Sequence, residues 1–196
     1  MKKILCGMIV VITLTGCYST LKYGWLPGGD YEYYQPLKPV NLEHEKIRLE
    51  VIDSREGFNV PCSDIPLDRN TELEGSTGFE FFSSYVRAMI EANNGVVDQT
   101  SSNVVKIELK GLSAEIFGFG YARVYGQIEF RASFSGLQKN YCSVLADGDE
   151  GAPVGKYSFT TRKTAIRKMA SASTRRALEE LMGDLLKAKK KQDLKI

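Results

Sequence analysis

Side chains able to do covalent or metal chemistry are few in this chain of 196 residues, which holds four cysteines and one histidine. His44 has no second histidine to work with, so His-based triads and most zinc sites are excluded. Cys62 has no local histidine to draw off its proton, and a thiol nucleophile is unsupported. Asp147, Asp149 and Glu150 offer oxygen ligands of the kind a hard cation takes, yet they lack the spacing of a calcium-binding loop. Phe117-Gly118-Phe119-Gly120 is not followed by a helix whose N-terminus would take a phosphate. Asp53 and Arg55 have the spacing of a structural ion pair at a strand end. The expectation from these residues is a protein with no catalytic residue, no metal site and no cofactor. A hydrolase would need convergent acid and base groups in a cleft, and none stands out.

Cysteine chemistry of another kind is set up near the N-terminus. Lys2 and Lys3 precede an apolar run from Ile4 to Leu14, interrupted only by Gly7 and Thr13. That run is too short to span about 30 Å of hydrocarbon, which takes roughly 20 apolar residues. Its length and positive flank are those of a secretory signal. Leu14-Thr15-Gly16 directly before Cys17 resembles the lipobox of bacterial lipoproteins. The resemblance implies cleavage before Cys17, diacylation of its sulfur and acylation of its new amine, so that covalent lipid is the only group carried. Several acyl chains on one residue exceed the two signals that stable anchoring requires. Tyr18 rather than Asp follows Cys17, which in a Gram-negative host points to the outer membrane, periplasmic side.

Removal of residues 1–16 takes Cys6 away and acylation occupies Cys17, leaving Cys62 and Cys142. In an oxidising periplasm two thiols allow a single bridge. Such a bridge would close a loop of roughly 80 residues and add about 4 kcal/mol in chain-entropy terms. The alternative is two separate thiols, with Cys142 buried in a strand; the Cα separation decides. Charge is uneven along the remaining chain. Residues 17–155 carry 12 basic and 20 acidic side chains, whereas 156–196 carry 12 basic and 4 acidic ones. The two parts either sit against each other or leave the basic part to an anionic surface. Nothing points to nucleic acid.

Residues 17–45 read as a tether. Pro27-Gly28-Gly29, Pro36 and Pro39 oppose helix and central strand, and coil statistics give the segment a reach of about 30 Å. Its rings, including Trp25, Tyr31, Tyr33 and Tyr34, suit either the headgroup level or the domain surface. A single domain is expected over 46–188. Lys46 to Asp53 alternate as a half-buried strand, and a long loop over about 54–75 follows, the first place to look for a contact surface. Thr77 and Glu80 have capping-box spacing. Phe79, Phe82, Val86, Met89 and Ile90 recur with helical period, and Asn93-Asn94-Gly95 supplies a left-handed cap. Val96-Val97 begins a short strand. Val105, Ile107 and Leu109 alternate, then the phase shifts at Gly111, which predicts a β-bulge. Val124 to Phe134 alternate strictly, and Tyr141–Ala146 and Tyr157–Thr161 read as two further strands, antiparallel by their short links. A last helix from about Arg162 to Ala188 has Ile166, Met169, Ala170, Ala177, Leu181 and Leu185 on one face. Lys189 to Lys191 and Lys195 form a basic tail over 189–196, read as solvated in preference to lipid-bound.

This order of elements, with a lipobox ahead of it and a first strand ending in Asp53-Ser54-Arg55, resembles the YajG family of bacterial lipoproteins over roughly residues 46–186. The Tyr-rich tether, Cys62 and Cys142 depart from that family's pattern. The resemblance implies fold and location; it brings no catalytic residues. The expected fold is α+β, an antiparallel sheet with two helices packed on one face. Tyr125, Gln127, Glu129 and Arg131 would stand on the other face, toward water or a partner. The expected role is a non-catalytic adaptor or accessory subunit that binds another envelope protein and holds the membrane through its acyl chains. The alternative is a binder of a small or lipidic ligand between sheet and helices.

Overall fold

A computed structural model describes residues 36–57, 60–65, 73, 75–117, 123–146, 148–150, 152 and 162–194. The elements are β1 (Lys46–Asp53), α1 (Gly75–Ala92), β2 (Val96–Val97), β3 (Val104–Phe117), β4 (Arg123–Phe134), β5 (Leu137–Ala146) and α2 (Arg162–Asp193). The five strands form one sheet in the order β2-β1-β3-β4-β5, and the fold is α+β. The antiparallel arrangement expected from the hairpins extends over β3, β4 and β5. It stops at β1, which runs parallel to both β2 and β3, because α1 returns the chain along the sheet before the next strand begins. The sheet is therefore mixed.

Both helices pack on one face: α2 lies across β3, β4 and β5, α1 lies against β1, β2 and β3, and the helices touch each other. Alternation supplies the core. Ile107, Leu109, Ile128, Phe130 and Ala132 are fully buried beneath Phe82, Met89 and Met169 of the helices. Phe82 meets Phe130 with ring centroids 5.5 Å apart, and Phe130 stacks on Tyr141 at 5.1 Å. The β3–β4 register slips between Leu109 and Gly111. That bulge, predicted from the phase shift, keeps Leu112 and Ala114 buried although their sequence parity has changed. β5 begins earlier than its apolar pattern, at Leu137. Ser135 and Gly136 form a two-residue turn with φ of 48° and 75°, the twist that continues a hairpin ladder, so exposed Leu137 to Asn140 are held by pairing rather than by burial.

The C-terminus of α1 closes as predicted. Asn94 takes φ 59°, Gly95 N–H donates to the Ile90 carbonyl at 2.9 Å and Asn94 N–H to Glu91 at 3.1 Å, which is a Schellman motif. The N-terminus differs. The helix starts at Gly75, so Thr77 lies inside the first turn and is exposed and is not the cap. Buried Leu73 sets the start: its carbonyl accepts from Arg55 Nη1 at 2.7 Å, and Gly78 lies so close that a Cβ there would stand 1.9 Å from the same oxygen.

Residues 36–45, read as the end of the tether, run across the helix ends. Asn93, buried, accepts from Val40 N–H at 2.7 Å and donates to the Met89 carbonyl at 2.8 Å. Its own carbonyl accepts from Leu42 N–H at 2.8 Å. Lys189 Nζ bonds the Leu42 carbonyl at 3.3 Å and the Glu43 carboxylate at 2.8 Å, and the Glu43 partner raises its pKa. The helix continues past Ala188 to Asp193, so Lys189 is a structural tie and not part of a free tail. Asn93→Ala strands the Val40 N–H and is expected to cost about 2 kcal/mol, read as a lower urea midpoint without a change in denaturant dependence.

Residues 98–103 carry the chain from one side of β1 to the other. Asp98 accepts from the Thr100 hydroxyl at 2.6 Å and the Thr100 N–H at 2.9 Å, and Lys46 stands 3.3 Å away. Chiefly through Thr100, these hold its carboxyl at about 2 instead of 3.8. Because the folded value is lowered, what Asp98 contributes to stability is complete above the unfolded value and is lost as pH falls toward 2. A carboxyl NMR titration is expected to find its midpoint near 2, and Thr100→Val is expected to raise it.

Candidate functional site on the outer sheet face

The face turned away from the helices collects alternate residues from three strands. Glu108 stands opposite Arg131, Arg131 opposite Asn140, and Glu129 opposite Cys142. The expectation that this face meets water or a partner is not met at Gln127 and Glu129, which are 1% and 6% exposed beneath the chain's own backbone. The reason is the segment after β1, which folds back over them. Cys62 and Cys142 form a disulfide with a Cα separation of 6.2 Å, and Gln127 Nε2 donates to the Ile65 carbonyl at 3.2 Å. The segment's start is fixed too. The Arg55 guanidinium grips Asp53 through Nε at 2.8 Å and Nη2 at 2.7 Å, and this partner holds the Asp53 carboxyl below the usual carboxylate range. The pair is structural, as its spacing suggested.

Between this clamped segment and the strands lies a groove of about 560 Å³, lined by Ser54, Glu56, Pro61, Lys110, Glu129, Arg131 and Asn140. On its floor Glu129 Oε1 accepts from Asn140 Nδ2 at 3.3 Å, and Asn140 Oδ1 accepts from Arg131 Nε at 3.0 Å. Glu129 Oε2 is buried with no hydrogen-bond partner among the described residues. Lys110 Nζ stands 3.2 Å from Glu108; Lys106 at 2.8 Å and Lys110 together hold the Glu108 carboxyl low. The groove thus brings carboxylate, amide, guanidinium and ammonium groups together along its lining, the residue types that polar recognition uses. A buried carboxylate oxygen without a donor is costly, and a bound donor would remove that cost.

No family model matches the sequence, and the search of curated proteins found no match. Solved structures are similar. One is protein XCC0632 from Xanthomonas campestris, of the DUF330 family, at 12% identity and a TM-score of 0.49 over 80% of this chain and 94% of that one. Another is an uncharacterised protein at 10% identity and a TM-score of 0.39, over 76% of this chain and 95% of that one.

Cys17 and the Leu14, Thr15 and Gly16 that precede it lie outside the described residues, as do the strand read over Tyr157–Thr161 and residues Gly118, Phe119 and Gly120 of the Phe117–Gly120 pattern. Of the acidic loop, Asp149 accepts from the Ala146 N–H at 2.7 Å and caps the turn after β5. His44 is exposed, and its N–H donates to the Asn94 carbonyl at 2.7 Å. Among the described residues no cluster of three His, Cys, Asp or Glu could hold a metal ion, and no helix is long and apolar enough to cross a membrane. Sequence reading placed Glu129 on the right face but not under cover. Its only signal was the cysteine that pairs opposite it, which requires knowing the register.

Proposed function

We propose that the chain is a non-catalytic envelope adaptor, held by acylated Cys17 at the periplasmic side of the outer membrane, that docks another envelope component on the outer face of its sheet. The observation that carries this reading is the groove, whose wall is clamped by the Cys62–Cys142 disulfide. A covalent clamp keeps a recognition surface in shape without a large core beneath it, and a disulfide suits an oxidising compartment. The other reading, a ligand between sheet and helices, finds Phe82, Met89, Phe130 and Met169 there, each 0% exposed. That layer is occupied by side chains, so the outer groove supports docking better.

The test is photo-cross-linking in the native envelope from a probe at Pro61 on the groove wall, against a probe at exposed Lys187 on α2. The expected result is one protein captured from Pro61 and not from Lys187, and lost when Cys17→Ala releases the chain from the membrane. Equal capture from both probes would sink the proposal.

A further inference from the structure

The bridge that clamps residues 60–65 lies at the surface, and what it clamps them over is polar. Cys62 and Cys142 are both exposed. Beneath the segment stand Gln127 and Glu129, and Ser113, opposite Gln127 on β3, is also buried. Glu129 Oε2 and Ser113 Oγ have no hydrogen-bond partner among the described residues. A buried polar atom without a partner destabilises the state that buries it, and water relieves that cost when the cover lifts. The apolar core lies on the opposite face of the sheet, among Ile107, Leu109, Ile128 and Phe130, and stays beneath the helices when the segment opens. Besides the bridge, the described residues hold the segment by the hydrogen bond from Gln127 to Ile65 and the burial of Val60. Cleavage of the bridge leaves these two contacts, so the segment would open and close instead of staying shut.

Exposed disulfides exchange with thiolates more readily than buried structural ones. We infer that the Cys62–Cys142 bridge is a thiol–disulfide exchange site for a dithiol protein, and that its reduction unlatches residues 60–65 from the sheet. A donor thiolate attacks one bridge sulfur, the S–S bond breaks, and the other sulfur leaves as a thiolate that takes up a proton. The donor's second thiolate then displaces the cysteine held in the mixed disulfide, and that cysteine is protonated in turn. The bridge gains two electrons and two protons, and the donor's dithiol loses them as it becomes a disulfide. Pro61 belongs to the groove wall, so reduction dismantles the groove and reoxidation rebuilds it. This assignment rests on the reading of the groove as the docking site and adds the control of that site.

The experiment treats the folded mature chain with dithiothreitol across low urea, and with a reduced Cys-x-x-Cys protein in its absence. Alkylation of Cys62 and Cys142 is read by mass spectrometry. Reduction by both donors is expected, with a dithiothreitol rate that does not change below the unfolding transition. A rate that climbs along the global unfolding slope, or refusal of the protein donor, overturns the assignment. In the reduced chain the amides of Ser63 and Ile65 are expected to exchange at least about tenfold faster, through an opening with less urea dependence than global unfolding. Glu129→Met, which leaves only exposed Asn140 to rebond to water, is expected to slow that exchange about tenfold; its urea midpoint shows whether it is folded. Unchanged protection on reduction overturns the unlatching, and so does a folded Glu129→Met chain that opens as before. Cross-linking from Pro61 separates the two readings. Capture lost on reduction supports control of docking, and equal capture in both states overturns it. No capture in either state removes the docking reading and leaves the exchange site to be judged by the thiol measurement.

Discussion

Replacing Cys62 and Cys142 together by serine is expected to lower the unfolding free energy by about 4 kcal/mol. The bridge joins residues 80 apart in sequence, and a loop of that length loses more conformational freedom when closed than any local contact of the 60–65 segment supplies. The mechanism has a signature beyond the size of the effect. If the bridge acts on the unfolded chain, the double variant unfolds to a more expanded state and the denaturant dependence rises with it. If it acted only by packing the segment onto β4, the midpoint would fall and the dependence would not change. Equilibrium urea unfolding of both proteins separates these, and a loss below about 1 kcal/mol would contradict the chain-entropy account. Function is expected to follow the segment. Without the bridge, the hydrogen bond from Gln127 to Ile65 and the burial of Val60 still hold it among the described residues, and amides around residue 62 are expected to lose part of their protection against hydrogen exchange.

Burial of Gln127 and Glu129 also marks the limit of what can be read from a sequence. Periodicity reports which residues share a face, and Val105 to Leu109, the slip at Gly111 and Val124 to Phe134 were legible for that reason. Local caps were legible at Asn94, where a residue type suits one backbone conformation. Strand direction was not, since a period of two is the same in either sense; β1 between its two parallel neighbours carries no mark of it. Nor was β5 over Leu137 to Asn140, which have no apolar alternation and are strand because a two-residue turn delivers them into register. The docking of residues 36–45 is made in part of backbone bonds to Asn93 and Asn94, and backbone groups are the same in every residue. The groove combines these limits. The loop, its two cysteines and the polar face were each visible separately, but the fold alone brings Pro61 over Glu129.

Gly126 shows how much a position that reads as an ordinary strand residue can carry. It faces the core between Ala114 and Leu145, and a Cβ there would lie 2.5 Å from the Met169 carbonyl oxygen and 3.0 Å from Ser173 Oγ. The backbone of α2 rests on β4 at this point, and the small residues Ala170, Ser171, Ala172 and Ser173 that make the approach possible are all 0% exposed. The obstacle to a side chain is a helix backbone, which cannot turn aside as a flexible side chain does. Gly126→Ala is therefore expected to destabilise by about 2 kcal/mol and Gly126→Val by about 3 kcal/mol or more, the range of overpacking in a filled core. Gly183, inside α2, is the control, because nothing lies within 4 Å of its Cβ position. There the same glycine-to-alanine change removes only the helix penalty of glycine and is expected to stabilise by up to about 1 kcal/mol. Opposite signs for Gly126→Ala and Gly183→Ala in urea unfolding would establish that α2 sits on β4 by backbone contact; a neutral Gly126→Val would show that the two layers stand further apart.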